Sequence, residues 1–257
     1  MQKFTIEALE LLNKWLAEPG IISKCYSMFH NYSLLNGMAL MFQIQSRGLP
    51  VGPCASFAKW KSLGGRVKKG AKALWVNIPC KVAIKDKTDT LIHDKDENDL
   101  DKVITCFYWK PCVFTLAQVD GINSKEDPLQ IKWDKEKMLK ELGIKEIPFD
   151  SIDGNTQGYA SDKGVAINQI GTHKTRTLIH EVAHYLMHIS KKCKTEQAIK
   201  EVEAELTSAL VGYALGLDGA DESRGYVQHW LGSNKLTNKS ALRVLACANK
   251  ILKAGEC

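Results

Sequence analysis

Apolar residues recur at helical spacing through the first 45 residues of the chain. The first stripe consists of Ile6, Leu9, Leu12, Trp15 and Leu16. A second helical pattern runs over residues 26–45, where only Gly37 interrupts it weakly. Side chains three or four positions apart lie on one face of a helix, so each segment has an apolar face to bury. The pattern predicts two N-terminal helices.

Between residues 50 and 119 the pattern changes to short runs that are typical of β-strands. Three such runs, at 74–78, 81–84 and 103–113, are rich in β-branched and aromatic residues and are bounded by turn residues. The segment 86–102 is polar and highly charged, which predicts a loop. We therefore expect a small sheet to follow the N-terminal helices.

The second half of the chain returns to helical patterns around one hairpin. A short helix is predicted at 135–142, and two short runs at 158–161 and 165–168 are expected to form the hairpin. Further helices are expected around residues 178–189, at 202–217 and at 239–254. This succession of elements predicts an α+β fold with an N-terminal α+β domain at 1–122, a polar linker at 123–134 and a second domain at 135–257.

A metal-binding motif lies on one of these helices. Residues 180–184 read His-Glu-Val-Ala-His, and a helix brings His180 and His184 onto one face. Two such histidines with an adjacent glutamate are the signature of zincin metallopeptidases, in which Glu181 would be the general base. We expect Thr175 or Thr177 to cap this helix. The alternative interpretation is a pair of histidines with ordinary hydrogen bonds.

A catalytic zinc ion usually has three protein ligands and one water, so a third ligand is expected further along the chain. Glu201 lies seventeen residues after His184, within a helical run that also contains Glu203 and Glu205. Glu201 and Glu205 share one helical face. We assign Glu201 as the metal ligand and expect Glu205 to hold a ligand histidine in the correct tautomer. Glu203 points away from both and is expected to lie on a solvated face.

Three other histidines are weaker candidates for the metal site. His188 lies one further helical turn from Glu181, so we do not assign it as a ligand. His173 lies beside Gly171 before the helix and is expected in a loop, and His229 is expected to be structural or exposed. The strand at 165–168 precedes the metal helix, where zinc peptidases commonly pair an extended substrate. An ordinary edge strand is an equally good interpretation of that segment.

Charge changes the picture of the first half. The chain carries a net charge of +6, and ten basic residues lie between Arg47 and Lys87 against a single acid, Asp86. Aromatic residues are interleaved with them, which is the composition that single-strand nucleic-acid binding uses. The alternative is a solvated basic surface with its aromatic residues in the core. The expected DNA contacts are Lys59, Trp60, Lys61, Arg66, Lys68, Lys69 and Lys72.

The remaining composition indicates a folded protein of the cytoplasm. No N-terminal signal peptide and no membrane-spanning stretch is evident, because charged residues interrupt every apolar run. The eight cysteines are scattered without a Cys-x-x-Cys motif, which favours free thiols in a cytoplasmic chain.

The order of these motifs resembles the ArdC family of antirestriction proteins of conjugative plasmids and other mobile elements. In the first half the resemblance rests on residues 31–36 with Gln43, on the segment 57–72 and on the run 113–119, which resembles that domain's closing strand. In the second half it rests on the segment 159–161 and on the histidine and glutamate motifs. The second half also resembles regulatory metallopeptidases of the ImmA/IrrE type.

The resemblance implies an N-terminal domain that binds single-stranded DNA and a C-terminal zincin-like metallopeptidase domain. Zn²⁺ is the implied cofactor, with another divalent metal as the alternative, and His180, His184 and Glu201 would bind it. The implied partners are single-stranded DNA and a peptide, repressor or restriction-protein substrate. Two alternatives stay open: a DNA-protection factor with a structural or vestigial metal site, and a regulatory protease that cleaves one repressor.

Overall fold

The N-terminal apolar pattern forms three helices rather than the two predicted. The computed structural model describes residues 7–18, 20–83, 103–122, 132–150, 156–190, 196–217 and 236–257. The predicted loop at 86–102, most of the predicted linker and His229 therefore lie outside or largely outside the described residues. Within them, the N-terminal helices are α1 (Ala8–Ala17), α2 (Ile21–Met28) and α3 (Leu34–Ser46).

The single helix predicted over residues 26–45 is wrong. Helix α2 ends at Met28, and the next helix, α3, begins after its N-cap residue Ser33. The Ser33 side chain accepts a hydrogen bond from the backbone N–H of Asn36 at 3.3 Å and thereby caps α3. Gly37, which looked like the weak point, lies inside α3. A Cβ atom there would approach the Phe29 Cβ to 3.3 Å, so glycine allows close packing at this point.

A three-stranded antiparallel sheet follows, with strand order β1-β4-β3. The strands are β1 (Cys54–Ser56), β3 (Leu74–Ala83) and β4 (Val103–Thr115). The runs predicted at 74–78 and 81–84 belong to one continuous strand as far as Ala83, the last described residue there, because β4 pairs with it without interruption from Trp75 to Ala83. Helix α4 (Phe57–Ser62) connects β1 to the short strand β2 (Arg66–Val67).

Two amide side chains of α3 cover the outer edge of β3. Asn36 donates to the backbone oxygen of Asn77 at 2.9 Å and accepts from its N–H at 2.7 Å. One heptad later, Gln43 forms the same pair of bonds with Trp75, both at 2.8 Å. The two side chains thus replace a neighbouring strand and satisfy backbone groups that would otherwise be unpaired.

The closing strand expected over residues 113–119 is interrupted. Strand β4 ends at Thr115, a 3₁₀ turn spans Leu116–Gln118, and β5 (Val119–Asp120) then pairs with β2 in a separate two-stranded sheet. Gln118 stabilises the interruption by accepting from the Thr115 backbone N–H at 3.2 Å and donating to the Lys72 oxygen at 2.9 Å.

The second half consists of α5 (Lys135–Leu142), the hairpin β6 (Gly158–Ser161) and β7 (Gly164–Ile167), and three longer helices. These are α6 (Lys174–His184), which continues as a π-helical turn at Tyr185–Ile189, α7 (Gln197–Leu215) and α8 (Asn238–Gly255). Helix α7 packs against α2 and α6, and α8 packs against α1, α5 and α7, so helices from both halves share one apolar core. The domain boundaries stay a prediction. Among the described helices, none has the length and the hydropathy of a membrane-spanning segment.

Candidate metal centre and basic surface

Helix α6 presents the His-Glu-x-x-His motif to α7. Leu178, Ile179 and Val182 are buried and anchor one side of the helix in the core. The predicted cap is wrong: His173 occupies the N-cap position without a side-chain capping bond to the helix, and both Thr175 and Thr177 lie inside α6. His173 thus lies in the loop immediately before α6, as predicted.

Three ligand atoms converge between α6 and α7. His184 Nε2 lies 3.1 Å from His180 Nε2 and 3.3 Å from Glu201 Oε2, and His180 Nε2 lies 3.6 Å from the same carboxylate oxygen. Metal–ligand bonds of about 2.1 Å place neighbouring donor atoms about 3.4 Å apart around a tetrahedral ion and about 3.0 Å apart around an octahedral one. The three side chains therefore fit a divalent cation in either geometry, and no other group of three His, Cys, Asp or Glu side chains in the described ranges converges in this way.

Glu205 connects this cluster to an arginine that the sequence did not reveal. One carboxylate oxygen lies 3.1 Å from His180 Nδ1, and the other accepts from Arg176 Nη2 at 2.5 Å. Because a carboxylate only accepts, His180 must carry its proton on Nδ1, which directs the lone pair of a neutral His180 from Nε2 toward the cluster. Arg176 lies four residues before His180, a spacing that places both on one helical face and could have identified it.

The expectation for Glu203 is wrong. This glutamate is 0 % exposed, and it accepts a hydrogen bond from Arg243 of α8. Its other oxygen lies 3.8 Å from His188 Nε2. The face of α7 opposite the metal ligands is covered by α8 and the π-helical turn, so it is not solvated. His188 lies between Glu203 and His184, outside the converging ligand set.

Glu181 lies beside the ligands and is 8 % exposed. Burial is the main cause that raises its pKa to about 7, the charge of His180 opposes the shift, and Glu201 adds to it. A Cβ atom on Gly158 would lie 3.1 Å from the Glu181 Cγ, so only glycine lets β6 approach this side chain so closely.

The ligand side chains perturb one another's pKa values. Burial lowers the pKa of His180, but hydrogen bonds to Glu201 and Glu205 outweigh burial and raise it to about 9. The hydrogen bond from His180 is the main cause that lowers the pKa of Glu201 to about 2. Burial, followed by the charge of His180, lowers the pKa of His184. An anionic oxygen next to two imidazoles gives the cluster the charge and the donor set of a cation site.

Two cavities flank the cluster, of about 640 and 400 Å³. Both are lined by Gly158, His180 and Glu181. The larger one extends past His173 and Arg176, and the smaller one past Tyr159 and Lys200. An extended molecule could therefore pass across Glu181 along β6.

Strand β7, predicted as either a substrate-pairing edge or an ordinary edge strand, is not an edge, because backbone partners lie on both of its sides. Val165 of β7 already exchanges backbone hydrogen bonds with Lys145 and Ile147, at 2.9 and 2.8 Å. On the other side of the hairpin, the Gln157 backbone oxygen accepts from the Asn168 N–H, so residue 157 faces β7. Because this direction alternates along a strand, the backbone groups of Gly158 and Ala160 point away from β7. In the described part of the chain, the open edge beside the cluster is β6.

On the basic surface predicted for the first half, the lysines are exposed to solvent but the tryptophan is buried. Trp60 is 4 % exposed, and its indole N–H donates to the Phe114 backbone oxygen at 2.8 Å, so its expected role in DNA stacking is wrong. Phe57, one helical turn before Lys61, is 57 % exposed and is the aromatic residue of α4 that can stack. Sequence reasoning passed over two further exposed aromatic residues on β4, Phe107 and Tyr108.

Most of the expected basic contacts are exposed in the structure, namely Lys59, Lys61, Arg66, Lys68, Lys69 and Lys72. Lys68 differs from the others because its ammonium group donates to the Ala117 backbone oxygen at 2.9 Å and lies 3.7 Å from Asp120. It therefore holds the turn between β2 and β3 against the 3₁₀ turn. Gly70 in that turn has a φ of +83°, a conformation that favours glycine.

Comparison with known proteins links the first half of the chain to one protein family. Residues 5–114 match the family model of the N-terminal domain of anti-restriction factor ArdC. An uncharacterized protein of Bacillus anthracis is 27 % identical over 277 aligned residues, which cover 88 % of this chain but 46 % of the relative, so the chain spans about half of that protein's length.

Two crystal structures of the antirestriction protein ArdC from the R388 plasmid share the fold. The metal-free structure has a TM-score of 0.53 at 22 % identity, with 96 % of this chain and 94 % of that chain covered. The Mn(II)-bound structure has a TM-score of 0.53 at 19 % identity, with 98 % of both chains covered. The similarity thus extends through both halves of the chain.

Proposed function

Since this chain belongs to the ArdC-like family of antirestriction proteins, we propose that it protects the DNA of a mobile element by binding it as a single strand and that it carries a metal-dependent peptidase site. The observation that carries the second part is the convergence of His180, His184 and Glu201 beside the buried Glu181. The exposed lysines around Phe57 support the first part.

His180, His184 and Glu201 are the residues that would hold the ion. Their separations suit a tetrahedral or an octahedral shell, and the R388 ArdC protein has a Mn(II)-bound form. We propose a divalent cation and retain Zn²⁺ as the expected metal, because two imidazoles and one carboxylate are a common catalytic zinc set. Glu205 and Arg176 would fix the orientation of His180.

The proposed reaction is hydrolysis of a peptide bond. When bound, a divalent ion supplies Lewis-acid polarisation and lowers the pKa of water. Glu181 would accept the proton of the attacking water and deliver it to the leaving amine. The outward backbone groups of Gly158 and Ala160 would pair with an extended substrate, which would pass between the two cavities.

The test is the change Glu181→Gln, measured on an unstructured protein such as casein and on single-stranded DNA. We expect metal content and DNA affinity to stay at the wild-type level and cleavage to fall about 10²- to 10⁴-fold, because only the base is lost. Glu196→Gln, at an exposed position outside the cleft, is the matched control. Cleavage by Glu181→Gln at the wild-type rate would show that the hydrolytic role is wrong.

The DNA-binding part has its own test. Lys61, Lys69 and Lys72 are exposed, and changing all three to alanine should weaken binding of an oligothymidine strand and reduce the slope of log affinity against log salt by about 0.7 per lysine. A control triple at Lys140, Lys145 and Lys163, also exposed, changes net charge equally. Equal losses in both triples would assign the effect to net charge rather than to this surface.

A further inference from the structure

Two cysteines lie directly opposite each other in the sheet. Cys80 of β3 pairs with Cys106 of β4 in the antiparallel register, so their side chains are on the same face of the sheet. Both are partly exposed and both are free thiols. The pairing continues for three more residue pairs, to Ala83 and Val103, so the two cysteines are not at the end of the ladder.

The hydrogen-bond pattern fixes the distance between them. Trp75 and Asn77 direct their backbone groups outward to Gln43 and Asn36, away from β4. Backbone groups of successive strand residues point to alternate sides. Cys80 is three residues after Asn77, so its backbone groups point the opposite way, toward β4. The two cysteines therefore form a hydrogen-bonded pair, in which the Cα atoms are about 5.5 Å apart. Disulfides form over Cα separations of about 4.4 to 6.8 Å.

We propose that Cys80 and Cys106 are a reversible redox site that forms a disulfide between β3 and β4. The step is a two-electron oxidation by a hydroperoxide. One thiolate attacks a peroxide oxygen and becomes a sulfenic acid; the hydroxide that leaves takes up the proton that the thiol had released and becomes one water. The second thiol displaces the hydroxyl group from that sulfur, which forms the S–S bond and a second water.

Reversibility follows from the position in the ladder. Side chains of a hydrogen-bonded pair are further apart than those of a non-hydrogen-bonded pair, so closing the S–S bond requires the strands to shift slightly. Strained disulfides have the higher reduction potentials and are reduced readily by dithiols. The bond would join the two ends of the segment 81–105 and fix the strand that carries the exposed Phe107 and Tyr108.

Other cysteines of the structure make poor partners for this chemistry. Cys25 is buried, and burial raises its pKa to about 12, so it stays a thiol at neutral pH. Cys54 lies opposite Thr115, and Cys112 falls at the irregularity of the β3–β4 register, opposite no residue of β3. Among the described cysteines of the strands, Cys80 and Cys106 are the pair that lies directly opposite each other.

The test uses the full-length protein, treated with a slight molar excess of hydrogen peroxide and then with an alkylating agent under denaturing conditions. We expect the loss of two alkylatable thiols, a Cys80–Cys106 cross-linked peptide by mass spectrometry, and recovery of both thiols with dithiothreitol. Cys80→Ser and Cys106→Ser should each abolish the cross-linked peptide.

Cys112→Ser is the matched control, because it removes a thiol of β4 that has no partner across the ladder. It should form the cross-link as the wild type does. A disulfide between other cysteines, a disulfide between two molecules, or unchanged thiol content in the folded wild type would each overturn the proposal. Circular dichroism of each serine variant before treatment verifies that the comparison is made between folded proteins.

Discussion

The indole N–H of Trp60 donates a hydrogen bond to the backbone oxygen of Phe114 at 2.8 Å. This bond fastens helix α4 to strand β4 and orients the face of α4 that carries Phe57 and Lys61 toward solvent. The tryptophan therefore supports the exposed face of α4 from beneath, and its buried ring is not accessible for stacking on a base.

Trp60 and Phe57 are expected to respond to substitution in opposite ways. Trp60→Phe should destabilise the protein by about 0.5–1.5 kcal/mol, because the partly buried Phe114 oxygen loses its hydrogen bond from the indole N–H. Phe57→Ala should leave stability nearly unchanged and weaken single-stranded DNA binding by about 1–3 kcal/mol if one base stacks there. Urea unfolding and fluorescence anisotropy on one oligonucleotide measure the two effects. Loss of DNA affinity in a fully folded Trp60→Phe protein would contradict this division.

The amide pair on α3 gives a second prediction. Asn36→Ala removes both bonds to Asn77 and should lower the free energy of unfolding by about 1–3 kcal/mol, because the outer edge of β3 loses its partner. Gln45→Ala, at an exposed position of the same helix, should change it by less than about 0.5 kcal/mol. Urea denaturation of the three proteins is the measurement, and equal stability of Asn36→Ala and wild type would contradict it.

These examples show what the sequence could and could not predict. Helical periodicity and capping residues are local, so helix α5 at 135–142 and the hairpin were predicted almost to the residue. The break before α3 was missed although its Ser33 cap is a local signal, because the close approach of Gly37 to Phe29 that accompanies it is not visible in the periodicity. The spacing of His180, His184 and Glu201 predicted which side chains would meet, whereas the burial of Trp60 and Glu203 depends on elements far away in the sequence that cover them.

Glu203 provides the third prediction. It is completely buried and accepts a hydrogen bond from Arg243, so removal of one partner leaves the other charge poorly compensated. Glu203→Ala should lower the free energy of unfolding by about 1–3 kcal/mol, because the Arg243 side chain that remains is 34 % exposed and is partly solvated. The double change Glu203→Met with Arg243→Met should cost less than the single change, because it removes both charges and keeps most of the volume.

Thermal unfolding followed by circular dichroism compares the three proteins. Glu196→Ala, at the exposed N-cap position of α7, is the control for a change of one charge on the same helix. A small effect of Glu203→Ala, similar to that of Glu196→Ala, would show that the solvated face expected from the sequence was the better description.

The last prediction concerns the pH dependence of metal binding. His180 has a pKa of about 9, raised by Glu201 and Glu205 against the effect of burial, so it is protonated at neutral pH and must lose that proton when its Nε2 binds a cation. Glu201, with a pKa of about 2, is already ionised, and the pKa of His184 lies below 6.5. Between pH 6.5 and 9, one proton should therefore be released per ion bound, and the apparent affinity for Zn²⁺ should rise about tenfold per pH unit and level off above pH 9.

Calorimetric titration in two buffers of different ionisation enthalpy counts the protons directly, and His173→Ala, outside the ligand set, should give the same count as the wild type. An affinity that is constant over this range would contradict the assignment of His180 as a ligand with a raised pKa.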